Sequence, residues 1–359
     1  CTSARKTVVC SVIDTIGCFH AGWRDPVSHK TLSAARAWGS GNAAVFGTDE
    51  RLAPLPAAFV NGVSAHALDY DDCETIGTSH NSAAILPALL ALAQQHGLTG
   101  RQLVDAYIVG FETIVQIGRA VGYGHYTTGW HATSTTGTLG AAAACARLIG
   151  LDAAETATAI ALAATLAGGL KAHFGTDTKP VHAGLAAQWG ITAAQLAASG
   201  VTANISALDE PRGYIHIMNE NTAPGFASLA SRIGNPLAID EVGICIKAYP
   251  SCNYTHRPIE AMLELRGEVG DASAIDAMSI KVPRSFYDVA SRHAPQTPPE
   301  ARFSITWCLA AAAVDGNVQI GHFEPEALER PDLRALEAKA RVEPLSLIHI
   351  SEPTRRNQS

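Results

Sequence analysis

The sequence predicts a mainly α protein, in which a large all-helical domain is followed by a smaller α+β domain. Hydrophobic residues make up 47% of the 359 residues but aromatic residues only 6%. Much of the apolar content is therefore alanine, which favours helices and lets them pack closely. Apolar residues recur at helical spacing up to about residue 207, and β-like runs follow later. We expect the helical domain over 1–230 and the α+β domain over 231–344.

Several helices of the first domain can be placed from local signals. The first predicted helix has one buried stripe of apolar residues at Val8, Val12, Ile13 and Ile16. Gly97 is suited to the left-handed position that ends a helix. Thr99 with Gln102, and Asp152 with Glu155, have the spacing of capping boxes that begin the next helices. These signals predict a series of helices joined by short loops.

The pattern changes in the last third of the chain. The segments 244–249 and 277–283 resemble short strands separated by a helix, and 339–344 resembles a final strand. Strands that alternate with helices predict an α+β domain. The segment 345–359 matches nothing before it in pattern, and we interpret it as a non-native tail on a chain truncated at both ends.

Composition argues against several functions. The net charge of −7 argues against nucleic acid or an anionic membrane as the main partner. The eight cysteines include no CxxC pair, which argues against a disulfide framework and a cysteine-bound iron–sulfur cluster. No signal-peptide pattern or membrane-spanning apolar segment is present. We therefore expect a cytoplasmic protein.

Two polar segments lie within the helical region. The first, HALDYDDCETIGTSH from His66 to His80, places four acidic residues within 69–74. This segment is either a solvated acidic loop or part of a functional site. Because its spacing fits neither the HExxH motif nor an EF-hand loop, we predict no metal there. The second, GYGHYTTGWHATSTTGTLG, places His131 before an alanine-rich helix that 133–136 could cap. Its alternative is a capped helix with incidental histidines.

Two further segments contain candidate cations. Lys179, in LKAHFGTDTKPVHAG, lies between apolar helices. It either extends to the surface or binds a carboxylate in a cleft, where burial would lower its pKa towards proton transfer. KAYPSCNYTHRPIE, from Lys247 onward, follows a predicted strand. Cys252 beside His256 suggests a nucleophile, but nothing else in the sequence supports a thiol enzyme.

Taken in order, five motifs resemble the MmgE/PrpD family. They are HALDYDD, SHNSAAILPALLAL, GWHATSTTGTLGAAAA, FGTDTKPVHAG and KAYPSCNYTHR. The resemblance runs from about residue 7 to about 343. That family includes 2-methylcitrate dehydratase, cis-aconitate decarboxylase and iminodisuccinate epimerase. The resemblance implies a helical domain with an α+β lid, usually a homodimer, an active site between the two domains, and no metal or organic cofactor.

The resemblance also implies site residues. Its catalytic positions fall on Asp69, His80, His131 and Lys179. Its substrate-binding positions fall on His256, Arg257 and Thr178. The sequence departs from the family where TSHN replaces a common His-Pro pair. Cys73 stands where threonine is common, and Trp307 where the decarboxylase has tyrosine.

The last two departures argue against decarboxylase activity in particular. We place dehydration of a 2-methylcitrate-like acid first, before epimerisation or decarboxylation of a related dicarboxylate, although the sequence barely separates these reactions. Lys179 and His131, with His256, would bind the carboxylates of a small di- or tricarboxylate and stabilise the charge that develops as a proton leaves. His80 would exchange the proton while Asp69 orients its imidazole. The alternatives from other classes are a non-catalytic helical ligand-binding protein and a metal-dependent hydrolase.

Overall fold

The computed structural model describes residues 2–219 and 227–345. Its contacts divide the chain into two compact units, Cys1–Ala248 and Tyr249–Ser359. The division lies beyond the boundary predicted near 230, because Cys245 and Lys247 bond to the segment 69–73 of the first unit. Most of the segment interpreted as a non-native tail, 346–359, is outside the described residues.

The described residues of the first unit form helices and one small hairpin. Its helices are α1 (Thr2–Gly22), α2 (Pro26–Ala35), α3 (Pro54–His66), α4 (Asn81–His96), α5 (Gly100–Val121), α6 (Gly124–Thr128), α7 (Ala132–Ile149), α8 (Ala153–Leu166), α9 (Thr178–Ala198), α10 (Tyr214–Ile217) and α11 (Ala238–Glu241). Its hairpin pairs β1 (Ser40–Ala44) with β2 (Arg51–Leu52). The alanine-rich α7 packs against α4, α5, α8 and α9, and so forms the centre of the unit.

The second unit combines helices with one small sheet. Its helices are α12 (Asn253–Val269), α13 (Arg284–Ala290), α14 (Pro298–Ala301), α15 (Ile305–Asp315), α16 (Pro325–Leu328) and α17 (Pro331–Glu337). Its strands β3 (Met278–Val282) and β4 (Ala340–Pro344) pair in parallel. Within the described residues the sheets have only two strands each, which confirms the mainly α fold. No helix in the described ranges is long and apolar enough to cross a membrane.

The local predictions have mixed outcomes. Both predicted capping boxes are present, and Gly97 ends α4 at a φ of 62°. The strands predicted at 277–283 and 339–344 are confirmed. The strand predicted at 244–249 is wrong: only Cys245 forms an antiparallel bridge, with Cys73. A single bridge forms there because the chain pairs with a loop rather than with a second strand.

The apolar stripe predicted for α1 is also wrong in part. Val8 is fully buried, but Ile13 and Ile16 are 66% and 45% exposed. The buried face instead continues through Ser11 and Thr15, which are fully buried. The Thr15 hydroxyl donates to the carbonyl of Ser11, which satisfies it inside the helix. Small hydroxyl side chains allow α1 to pack closely, so the buried face does not follow hydrophobicity.

A glycine contact sets the distance between α3 and α9. A Cβ added to Gly62 would lie 2.8 Å from the Cα of Gly184, and one added to Gly184 would lie 2.4 Å from the carbonyl oxygen of Phe59. The two backbones therefore touch. Because Gly62 is one turn before His66, and Gly184 lies five residues after Lys179, this contact brings the end of α3 to the first turn of α9.

Candidate active site

The candidate site of the first unit collects residues from the ends of four helices. His66 is the last residue of α3, His80 and His131 immediately precede α4 and α7, and Lys179 lies in the first turn of α9. His80 and His131 do not cap their own helices with their side chains. Instead the His80 backbone N–H donates to the Thr133 hydroxyl over 3.0 Å, which ties the start of α4 to α7. Since α7 begins at Ala132, Thr133 lies inside the helix, and the prediction that 133–136 cap it is wrong.

Asp69 lies between two buried lysines. The ammonium of Lys179 donates to Oδ2 of Asp69 over 2.8 Å, and that of Lys247 donates to Oδ1 and also to the Asp69 carbonyl, the latter over 2.7 Å. All three residues are at most 5% exposed. Two cations therefore share one carboxylate away from water, where charge interactions are strong.

The backbone of Asp69 makes this arrangement possible. Its φ is 52°, in the left-handed region, which aspartate tolerates better than most residues. It lies three residues after the end of α3, and the turn aims its side chain back towards α9. The strained conformation thus serves the ion pairs with Lys179 and Lys247.

A second carboxylate lies between two imidazoles. Nδ1 of His66 is 2.9 Å from both carboxylate oxygens of Asp71, and Nδ1 of His80 is 3.2 Å from Oδ2 of Asp71. His80 is farther from Asp69, with Nε2 at 3.7 Å from Oδ1. Asp71 is therefore the nearer carboxylate to His80. Nε2 of His66 is 2.8 Å from the Lys179 ammonium, which joins the two carboxylates into one network.

His131 extends the network towards α9. Its Nδ1 lies 3.1 Å from Nδ1 of His182, and both rings are buried. Its ring centroid is 5.8 Å from that of His66 and 4.9 Å from that of Phe174. In the described part of the chain, Nε2 of His131 has no hydrogen-bond partner. This nitrogen is therefore available to a ligand.

Burial and neighbouring charges set the protonation of the cluster. Burial acts to raise the pKa of Asp69, but the ammonium groups of Lys179 and Lys247 outweigh it and hold that pKa well below its usual value. Burial lowers the pKa of His66 to about 4, although Asp71 acts in the opposite direction. Burial, followed by the charge of Lys179, holds the pKa of His131 well below its usual value. At neutral pH these two imidazoles are therefore neutral and Asp69 is ionised.

Two family models together match almost the whole chain. The model of the MmgE/PrpD N-terminal domain matches residues 2–227, and the model of the C-terminal domain matches residues 249–358. This chain belongs to the MmgE/PrpD family. The resemblance that the five sequence motifs indicated is thereby confirmed.

Curated relatives of this MmgE/PrpD chain include cis-aconitate decarboxylases from animals and a fungus. The human protein is 32% identical over 348 residues and the mouse protein 31% over 349, in both cases across 92% of this chain and 70% of the relative. The Aspergillus terreus protein is 28% identical over 353 residues, across 91% of this chain and 71% of the relative. The similarity therefore extends across both units.

The structure brings together the four catalytic positions that the MmgE/PrpD resemblance implied. Asp69, His80, His131 and Lys179 belong to one contiguous network. Thr178 is half-buried at the first position of α9, where its backbone N–H donates to the Thr176 hydroxyl over 3.3 Å. His256 is half-buried and Arg257 exposed at the start of α12 in the second unit. Their binding roles stay predictions.

Four residues of the network are absent from the sequence prediction. They are His66, Asp71, Lys247 and His182. Signals for three were present. His66 opens the acidic motif, Lys247 lies within the strand predicted at 244–249, and His182 lies three residues after Lys179, on the same helix face. Asp71 looked like one member of an acidic run, and only its contacts with two imidazoles distinguish it.

Three side chains of this cluster could also coordinate a metal ion. Nitrogen or oxygen atoms of His66, Asp71 and His80 lie within 4.8 Å of one another. Both ring nitrogens of His66 already contact Asp71 and Lys179, however. A bound cation would have to displace the contact between His66 and Asp71, and the ammonium of Lys179 would repel it. The donor set fits a hydrogen-bonded network better than a metal centre.

Proposed function

We propose that this MmgE/PrpD protein is a cofactor-independent lyase acting on a small polycarboxylic acid, with decarboxylation of a cis-aconitate-like acid as its first candidate reaction. The observation that carries the proposal is the buried network of two ammonium groups, two carboxylates and neutral imidazoles beside an unpartnered ring nitrogen of His131. Curated relatives named as cis-aconitate decarboxylases support the choice of reaction.

The first step is the binding of an anion. His131 stands at the N-terminus of α7, where the helix dipole and backbone N–H groups favour negative charge. Nε2 of a neutral His131 can donate one hydrogen bond to a substrate carboxylate. Lys179 adds a positive charge within the same buried network. A polycarboxylate is the class of small molecule that this combination suits.

The second step is the loss of a carboxyl group. Breaking the carbon–carboxylate bond releases CO₂ and leaves an electron pair on the substrate, which a neighbouring double bond and carboxylate can delocalise. The Lys179 ammonium, held by Asp69 and shielded from water, stabilises that negative charge. A proton then adds to the delocalised carbanion, which completes the reaction.

The proton donor is an imidazole rather than a carboxylic acid. Asp69 is held ionised by Lys179 and Lys247, so it has no proton to give. His80 is partly exposed and its Nδ1 lies 3.2 Å from Oδ2 of Asp71, so we assign His80 as the proton donor and Asp71 as the carboxylate that positions it. This assignment replaces Asp69 by Asp71 as the carboxylate that positions His80.

Dehydration of a 2-methylcitrate-like acid, which the sequence alone places first, and epimerisation stay predictions. The sequence argument against decarboxylation depended in part on Trp307. That residue is fully buried in the core of the second unit, and its Nε1 donates to the carbonyl of His322 over 2.9 Å. Its size is explained by packing, so we give this difference from tyrosine less weight. The homodimer and the cytoplasmic location also stay predictions.

Product analysis with three acids tests the proposal. Purified protein is incubated with cis-aconitate, 2-methylcitrate and iminodisuccinate, with and without a chelator. We expect CO₂ from cis-aconitate at a rate that chelation does not change. New absorbance from a carbon–carbon double bond formed from 2-methylcitrate, without CO₂, would favour dehydration, and a change in optical rotation alone would favour epimerisation. If no acid is converted and calorimetry still detects binding, the protein is a non-catalytic ligand-binding protein.

Matched variants test the residues. Lys179→Ala and His131→Ala should each lower turnover by roughly 10²-fold or more, because each removes charge stabilisation or an oriented donor. Lys30→Ala is the lysine control, since Lys30 is exposed and pairs with Asp177 at the surface. His96→Ala is the histidine control, at the exposed end of the helix that His80 precedes. Near-normal rates in both site variants would reject the assignment.

A further inference from the structure

Cys73 and Cys245 face each other across an isolated antiparallel bridge in the first unit. The N–H of Cys73 donates to the carbonyl of Cys245 over 3.0 Å, and the N–H of Cys245 donates back over 2.8 Å. Cα atoms in such a hydrogen-bonded pair are about 5.5 Å apart. Disulfides span Cα separations of about 4.4–6.8 Å. The backbone is therefore already positioned for a cross-link.

The side chains of this pair also lie together. Residues directly opposite each other in an antiparallel bridge have their side chains on the same face, so both thiols lie on the same side of this bridge. Cys245 is exposed, whereas Cys73 is only 6% exposed. The sulfur of Cys245 can thus react with a reagent from solvent, while the sulfur of Cys73 is buried beside it.

The surroundings favour the thiolate at the exposed position. The neighbouring Cys73 thiol lowers the pKa of Cys245, and the nearby charge of Lys247 lowers it further, against the opposing effect of burial. The buried Cys145 has its pKa raised by burial instead. A thiolate is the reactive form of cysteine.

We propose that Cys73 and Cys245 are a thiol oxidation site that closes to a reversible disulfide with hydrogen peroxide as the oxidant. The Cys245 thiolate attacks one peroxide oxygen, the O–O bond breaks, and Cys245 becomes a sulfenic acid as hydroxide leaves and is protonated to water. Cys73 then attacks the Cys245 sulfur, an S–S bond forms, and a second water leaves. Two thiols are oxidised by two electrons, and one peroxide is reduced to two waters. Thiol–disulfide exchange with a reductant reverses the change.

The cross-link would join two segments that carry parts of the candidate site. Asp69 and Asp71 precede Cys73 by four and two residues, and Lys247 follows Cys245 by two. A disulfide between positions so far apart in sequence restricts the unfolded chain. The oxidised protein should therefore unfold at a higher temperature than the reduced protein.

Peptide mapping of the whole chain tests the proposal without reference to activity. The reduced protein is treated with a small excess of hydrogen peroxide, remaining thiols are alkylated, and the digest is analysed by mass spectrometry. We expect a linked peptide joining Cys73 to Cys245, its disappearance after dithiothreitol, and a rise in the midpoint of thermal unfolding. Both effects should be absent from Cys245→Ser and Cys73→Thr.

Cys10→Ser is the matched control, because Cys10 is also exposed but lies on α1 outside the bridge. This variant should still form the Cys73–Cys245 link. The proposal is overturned if Cys245 is oxidised to a sulfinic acid with no link, or if Cys73 links instead to another cysteine. Since the readouts are covalent linkage and stability, a failure of the decarboxylase proposal would leave this result unaffected.

Discussion

The Nδ1 atoms of His131 and His182 lie 3.1 Å apart, and both imidazoles are buried. A hydrogen bond between two ring nitrogens holds one proton, so the tautomers of the two rings are coupled. When His182 donates from Nδ1, His131 accepts there and carries its own proton on Nε2. His182 is then a positioning residue that makes His131 a donor towards the substrate.

Substitution of His182 tests this coupling. We expect His182→Leu to raise KM for the polycarboxylate by about tenfold, the equivalent of one lost hydrogen bond, because His131 no longer has a fixed tautomer. His182→Asn, whose side-chain N–H₂ can replace the Nδ1 donor, should recover most of the loss. Steady-state kinetics of both variants provide the measurement. Equal loss in both variants would contradict a positioning role.

Removal of Lys247 should affect stability strongly. Lys247→Met leaves the buried Asp69 carboxylate with Lys179 as its remaining lysine partner, and breaking a buried ion pair costs about 3–5 kcal/mol. Chemical denaturation measures the free energy of unfolding. Lys30→Met, which removes an exposed pair with Asp177, should cost about 1 kcal/mol or less. Similar losses in the two variants would mean that Lys247 does not stabilise the fold through Asp69.

The glycine contact between α3 and α9 predicts a packing effect. Gly184→Ala would place a Cβ 2.4 Å from the backbone oxygen of Phe59, so we expect a loss of about 1–3 kcal/mol from overpacking and reduced turnover as His66 and Lys179 move apart. Gly267→Ala is the control, because this glycine lies in α12 with no atom within 4 Å of an added Cβ. That change should be neutral or stabilise by up to about 1 kcal/mol. Thermal unfolding of both variants is the measurement. If Gly184→Ala lost no stability, the close approach of the two helices would be contradicted.

Asp72 predicts a specific pH dependence. Burial raises the pKa of Asp72 to about 7, although a hydrogen bond from the Ser82 hydroxyl acts in the opposite direction. In the unfolded chain the carboxyl of Asp72 ionises near its usual pKa, whereas in the folded protein it stays protonated up to about pH 7. The free energy of unfolding therefore falls as pH rises from about 4 to about 7. Asp72→Asn removes this titration. The difference between the midpoints of thermal unfolding of Asp72→Asn and of the wild type should grow from pH 5 to pH 7 and then level off. A difference that stayed constant with pH would exclude the effect.

The helices with strong local signals were predictable, and the irregular contacts were not. Thr99 with Gln102 and Asp152 with Glu155 form capping boxes as expected, because such bonds join residues three apart. The segment around Cys245 has the residues of a strand, yet it forms one bridge. Strand pairing requires a partner, and the partner here is a loop. The exposure of Ile13 and Ile16 likewise depends on which face of α1 the neighbouring helices cover.

By itself the sequence determined the helical class, the capped helix boundaries and the motifs that carry Asp69, His80, His131 and Lys179. Tertiary structure alone decided which charges meet. Lys179 and Lys247 are 110 and 178 residues from Asp69, and Asp71 takes the contact with His80 that Asp69 was expected to make. The reason is physical: a buried charge is tolerated only beside its partners. Those partners are fixed by the packing of helix ends, which no local pattern specifies.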